Sequence, residues 1–148
     1  MSERYPEDFV FIVSEDLRAE AGGKVTFLGV FTSRDIAVSL PSGQPSEGVP
    51  ALQTLGVYFG FKDGSGTFNA RVEILDPDKT NILPSETSKP VHKEENVGLD
   101  LMVRVTPFPI KNGVYRARAF LNDRMYERTF TVRIQPEQSK VASITAAS

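Results

Sequence analysis

The chain has no cysteine, no tryptophan and a single histidine, His92. Each shortage removes chemistry. Without cysteine there is no disulfide framework, thiolate-ligated zinc, iron–sulfur cluster or thiol nucleophile. One imidazole excludes any mechanism that needs two. Long apolar runs are missing too: none approaches the ~20 residues of a membrane-spanning helix. The polar, acidic stretch from Met1 to Asp8 lacks the basic and then apolar segments of a secretory signal. The expectation is a cytoplasmic protein, with a virion as the alternative location, and no membrane partner. At 148 residues the chain has the length of one domain. It is long enough to bury ~68–70% of its unfolded surface, so it needs no staple. We expect a single domain over residues 1–136 and a loose tail of small residues over 137–148.

What is present is a period of two. Leu55, Val57, Phe59 and Phe61 alternate with Gly56, Tyr58 and Gly60, and Phe68, Ala70, Val72 and Ile74 alternate with Asn69, Arg71 and Glu73. Ile36, Val38 and Leu40, and the odd positions from Val97 to Val105, follow the same rule. Side chains two apart on a strand share a face, so these segments predict half-buried strands. Phe9–Val13 and Val25–Phe31 are apolar on both phases and predict strands covered on both sides. Between them, Ser14–Gly23 has the composition of a short helical turn stopped by Gly22 and Gly23. The last two strands meet at Asn122-Asp123, residues that tolerate a tight hairpin turn. Tyr115, Ala117, Ala119 and Leu121 form one face there, against Phe130, Val132 and Ile134. Gly- and Pro-rich punctuation separates about eight strands, with at most one short helix. That pattern predicts an all-β, antiparallel β-sandwich, with a closed barrel as the architectural rival.

Candidate catalytic and metal motifs fall short. Asp76-Pro-Asp78-Lys-Thr-Asn81 alternates oxygen ligands as a calcium loop does, but has Asn81 where the sixth-position glycine belongs and Thr87 where the bidentate glutamate belongs. A turn is the better account. Asp63-Gly-Ser-Gly66 is one residue short of a nucleophile elbow and joins two strands. His92 sits in a polar stretch and reads as an exposed loop residue. The adjacent carboxylates Glu15/Asp16 and Glu94/Glu95 fall in predicted loops and do not converge. We therefore expect no catalytic residues, no metal and no cofactor.

Charge is distributed unevenly. Residues 1–96 hold 9 Lys and Arg against 15 Asp and Glu, whereas residues 97–148 hold 8 against 4. Arg104, Arg116 and Arg118 are predicted on outward strand faces, with Arg124, Arg128 and Arg133 in the final strand. Such a face binds an acidic partner, or else its arginines pair across strands with Glu73, Asp100 and Glu127. The second account is favoured, and the overall acidity argues against specific nucleic-acid binding. Tyr58, Phe120 and Tyr126 fall on the outward phase. Aromatic residues beside arginine are typical anchors of protein interfaces.

The segment from Phe9 to Phe31 carries Glu15, Asp16, Arg18 and Glu20, then Gly23 and Lys24, then Gly29-Val30-Phe31. It resembles the opening of a family of small bacterial and prophage-associated proteins. Gly113-x-Tyr115, Asn122-Asp123 and Phe130-x-Val132 are similar to that family's closing hairpin, and the Gly-x-Tyr ending is shared with immunoglobulin-like sandwiches. The resemblance implies a fold and no activity. The expected function is non-enzymatic: contact with protein partners, as a homo-oligomer or as a structural or accessory part of a larger assembly such as a phage particle. Contact residues are Arg104, Arg116, Arg118, Tyr58, Phe120 and Tyr126. The alternative is a small-ligand or carbohydrate-binding module using Tyr58, Tyr126 and loop carboxylates.

Overall fold

The computed structural model describes residues 3–40, 51–52, 54–83 and 88–136. The loop expected over 41–50, position 87 of the calcium comparison and the tail over 137–148 lie outside them. The described residues form strands β1 (Phe9–Glu20), β2 (Lys24–Val30), β3 (Asp35–Leu40), β4 (Ala51–Leu52), β5 (Leu55–Phe61), β6 (Gly66–Leu75), β7 (Lys89–Lys93), β8 (Leu99–Val105), β9 (Phe108–Pro109), β10 (Gly113–Leu121) and β11 (Arg124–Pro136). One sheet has the order β2-β1-β5-β8, a second β3-β11-β10-β6-β7, and β4 and β9 pair as a ribbon. The sheets are hydrogen-bonded separately, so the molecule is a sandwich and not a barrel.

Every strand pairing among the described residues is antiparallel except one. β3 runs parallel to β11, with Ile36 opposite Val132, where the sequence led us to expect antiparallel strands alone. The neighbours β1-β5-β8 and β11-β10-β6-β7 reproduce the A-B-E and G-F-C-C′ order of immunoglobulin-type sandwiches. A tyrosine corner accompanies that order. The Tyr115 hydroxyl donates to the Pro109 carbonyl (2.9 Å) and accepts from the Lys111 amide (2.9 Å).

The core is the meeting of the two inward phases. Leu55, Val57, Phe59 and Phe61 of β5 are buried, facing Phe68, Ala70 and Ile74 of β6 and Tyr115, Ala117, Ala119 and Leu121 of β10. The alanines of β10 leave room for rings: Tyr126 packs edge-on to Phe61 (4.8 Å between centroids), and Tyr115 stacks on Phe130 (5.2 Å). The hairpin at Asn122-Asp123 has the register expected, with Leu121 opposite Arg124 and Asn122 in the left-handed region.

Two expectations fail near the N-terminus. Ser14–Gly23 is not a helical turn: β1 runs on to Glu20 and turns through Gly22 and Gly23 into β2, with Glu20 opposite Lys24. Glu15 and Asp16 therefore lie in a strand rather than a loop. A helix this short is unstable unless packed, whereas Leu17 as a strand residue is buried over β5. β2, read as covered on both sides, is an edge strand with Leu28 and Val30 exposed, and Phe9–Val13, read the same way, leaves Val10 exposed.

Candidate functional site

Arg116, Arg118 and Phe120 alternate with the buried residues of β10 and so project from the outer face of the five-stranded sheet. Register sets their neighbours. Phe120 lies between Arg71 on β6 and Met125 on β11, Arg118 lies between Glu73 and Glu127, and Arg116 lies beside Thr129. Arg118 donates to Glu127 (2.6 Å) and to Glu73 (3.2 Å). Arg116 reaches the other oxygen of Glu127 (3.2 Å), and Arg71 the other oxygen of Glu73 (3.3 Å). The result is a ladder, Arg71–Glu73–Arg118–Glu127–Arg116, across three strands. Its carboxylates raise Arg118 above the usual guanidinium value, Glu127 most of all. Arg71 also lies 3.7 Å over the Phe120 ring. Val114 and Met125, missed in the sequence although they share the parity of Phe120 and Glu127, leave apolar surface exposed on this face.

The ladder answers the question of the charge split. Arg118 pairs with Glu73, Arg133 with Asp35 (2.7 Å) and Arg104 with Asp16 (2.8 Å). Basic residues of the second part of the chain meet acidic residues of the first, so the asymmetry in sequence cancels in space. The expected pairing with Glu73 and Glu127 occurs. Asp100, the third acid expected, instead accepts a 2.5 Å hydrogen bond from the Tyr58 hydroxyl.

Tyr58 and Arg104 belong to the opposite side of the molecule, the outer face of the four-stranded sheet. That face is partly covered by the chain itself. The hairpin of β1 and β2 beyond Ser14 passes over β5, where a Cβ on Gly56 would lie 2.8 Å from the Leu17 side chain. Phe27 packs edge-on against Tyr58 at 5.1 Å, and Arg104 on β8 holds Asp16 from the far side. Gly29, at φ 62°, takes the left-handed bend opposite Glu15 that no branched residue makes easily. The Leu17 amide and Arg104 hold the Asp16 carboxyl below the usual range against partial burial. Burial and the Asp100 contact push the Tyr58 hydroxyl up.

Tyr126, expected on the outside, is in the core at 5% exposure and donates to the Pro6 carbonyl (2.5 Å). It shares the parity of Phe130, Val132 and Ile134, so the period of two already placed it inward. Six expected contact residues thus resolve into three on one face, two on the other and one buried.

The remaining chemical candidates are committed to structure. Lys111 lies between Asp76 (2.9 Å) and Asp78 (3.0 Å), where a cation would sit in a calcium loop, and Asp76 caps its own turn by accepting from the Asp78 and Thr80 amides. Asp63 accepts from the Glu7 amide (3.0 Å), and Glu95 pairs with Arg4. His92 stands exposed on β7, an edge strand rather than a loop, beside Thr67 (3.2 Å). Lys93 was not anticipated. It is 2% exposed, and its ammonium donates to the carbonyls of Lys62 (2.8 Å), Gly64 (3.1 Å), Glu94 (3.2 Å) and Val97 (2.9 Å). Burial pulls its pKa below the usual lysine value. Its signal in the sequence was a lysine on the same phase as Val91. Among the described residues no group of three or more acidic or histidine side chains is placed to hold a metal ion, and no helix is long and apolar enough to cross a membrane.

No model of a known protein family matches the chain, and no curated protein matches it.

Proposed function

We propose that this sandwich works without catalysis, by protein contact through the outer face of its five-stranded sheet, as a structural or accessory piece of a larger assembly. The prophage-associated family that its sequence resembles makes a phage particle one setting for such a role. The observation that carries the proposal is the exposure of Met125 beside half-buried Phe120, with exposed Val114 farther along the same sheet face. Aromatic and apolar side chains framed by arginine are the composition of interface centres. The carbohydrate alternative has less support: the Tyr126 ring is inside the core, and the Tyr58 ring is engaged by Phe27 and Asp100.

A photo-crosslinking side chain at Met125, in the producing cells, tests the reading. A covalent adduct with a protein, absent when the same side chain replaces the exposed Val97 outside this face, is the expected result. Equal labelling from both positions, or none from Met125, would remove the outer face as the contact surface.

A further inference from the structure

We infer that the occupant of this face is the same face of a second copy of the chain. The inference rests on the contact-face reading and adds the partner and its register. The charge pattern is self-complementary in one orientation. Consider a two-fold axis lying in the interface, running across the strands between the Phe120 row and the Arg118 row. Rotation about it sets β10 antiparallel over β10 of the second copy. Arg71 then faces Glu73 of the second copy, Phe120 faces its Arg118, and Met125 faces its Glu127. The symmetry repeats each contact in reverse, as an isologous interface requires. The alternative axis, parallel to the strands through β10, sets Arg118 against Arg118 and Glu73 against Glu127. Like charges in contact oppose that arrangement.

The chemistry fits. The ladder's carboxylates and guanidinium groups already neutralise one another within each copy, so the face brings no large net charge into the contact. Met125 is the apolar surface to be covered, and the Phe120 ring gains a second cation on its open side. In this register the overlap is confined to β6, β10 and β11 beside the Asn122 turn, a small contact of the weak, transient class.

Analytical ultracentrifugation of the full chain, from about 1 μM to about 1 mM, tests the inference together with substitutions at one exposed position. Met125→Glu sets a carboxylate against Glu127 of the second copy and is expected to weaken dimerisation roughly tenfold. Met125→Lys sets an ammonium there and is expected to strengthen it a few-fold. Phe120→Arg is expected to abolish it, with circular dichroism confirming that each variant is folded. A chain that stays monomeric throughout overturns the inference. So does a dimer whose affinity Met125→Glu and Met125→Lys move in the same direction, or not at all. A monomer that still crosslinks through Met125 to a different protein ends this inference and leaves the contact-face reading standing.

Discussion

The two outer faces of the sandwich begin from similar material and end differently. Each is the outward phase of a sheet that alternates strictly, and each carries one aromatic residue among charges: Tyr58 on β5 and Phe120 on β10. On the β5 side the positions flanking Tyr58 are Gly56 and Gly60, which leave a trough, and the β1–β2 hairpin folds into it with Leu17 and Phe27. On the β10 side the flanking positions are Arg118 and the turn residue Asn122. Arginine fills the space and binds glutamate on both neighbouring strands. The contrast teaches that glycine on an outward phase invites cover by the chain's own backbone, whereas a cross-strand ion ladder leaves a sheet open to another molecule.

The strongest way to break the comparison is to fill the trough. Gly56→Val adds a branched side chain where Leu17 and Ser14 already sit. Destabilisation of about 3 kcal/mol is expected, from overpacking and the exposure of Leu17. At this chain length that lowers the thermal midpoint by roughly 6–12 °C. A midpoint within a degree of the parent would mean that the hairpin is not seated on β5.

On the open face Arg118 joins both glutamates, and Arg116 only one. Arg118→Ala leaves Glu73, itself 8% exposed, with Arg71 as its ion-pair partner among the described residues, and is expected to cost about 1–2 kcal/mol. Arg116→Ala removes one exposed pair and is expected to cost no more than about 0.5 kcal/mol. Urea unfolding of the two variants should separate them in that order. Equal losses would show that the ladder is not organised around Arg118.

The smallest effect is a titration on the covered face. The Asp16 carboxyl, favoured as the anion by the Leu17 amide and Arg104, titrates below the ordinary aspartate value. Its contribution to stability is therefore complete above that ordinary value and lost as pH falls through the lower, folded one. The Leu17 amide proton resonance should report a midpoint below about 3.9. Arg104→Ala should raise that midpoint, and a midpoint unmoved by the substitution would detach Arg104 from Asp16.

Much of this was legible in the sequence because parity is a local property. Leu55 to Phe61 and Tyr115 to Leu121 needed only alternate side chains to declare their inner face, and the same rule placed Arg116, Arg118 and Phe120 outside together. It also held the answer for Tyr126, which was assigned to the outward phase although it shares the parity of Phe130 and Val132. The Ser14–Gly23 segment was illegible for a physical reason. Its glutamates and alanines favour a helix locally, and what overrides them is the trough at Gly56, some forty residues on and known only once β5 lies beside β1. Arg104 was foreseen as outward, but its partner Asp16 required the same unseen crossing. Lys93 shows the limit most clearly, since four carbonyls from two separate turns carry no signature in residue type.

Those carbonyls belong to the turns that follow β5 and β7, at one end of the sandwich, and the ammonium among them sits where many proteins place a dissociable ion. Here the ion is delivered by the chain itself on a four-carbon tether. Its local concentration is fixed by covalent geometry rather than by the medium. Dilution cannot empty this joint, a chelator has nothing to remove from it, and competing cations meet an occupant that cannot diffuse away. The chain thus carries its own cation into whatever compartment it works in, and the coupling of its two sheets at that end does not depend on a metal or salt ion that the compartment supplies.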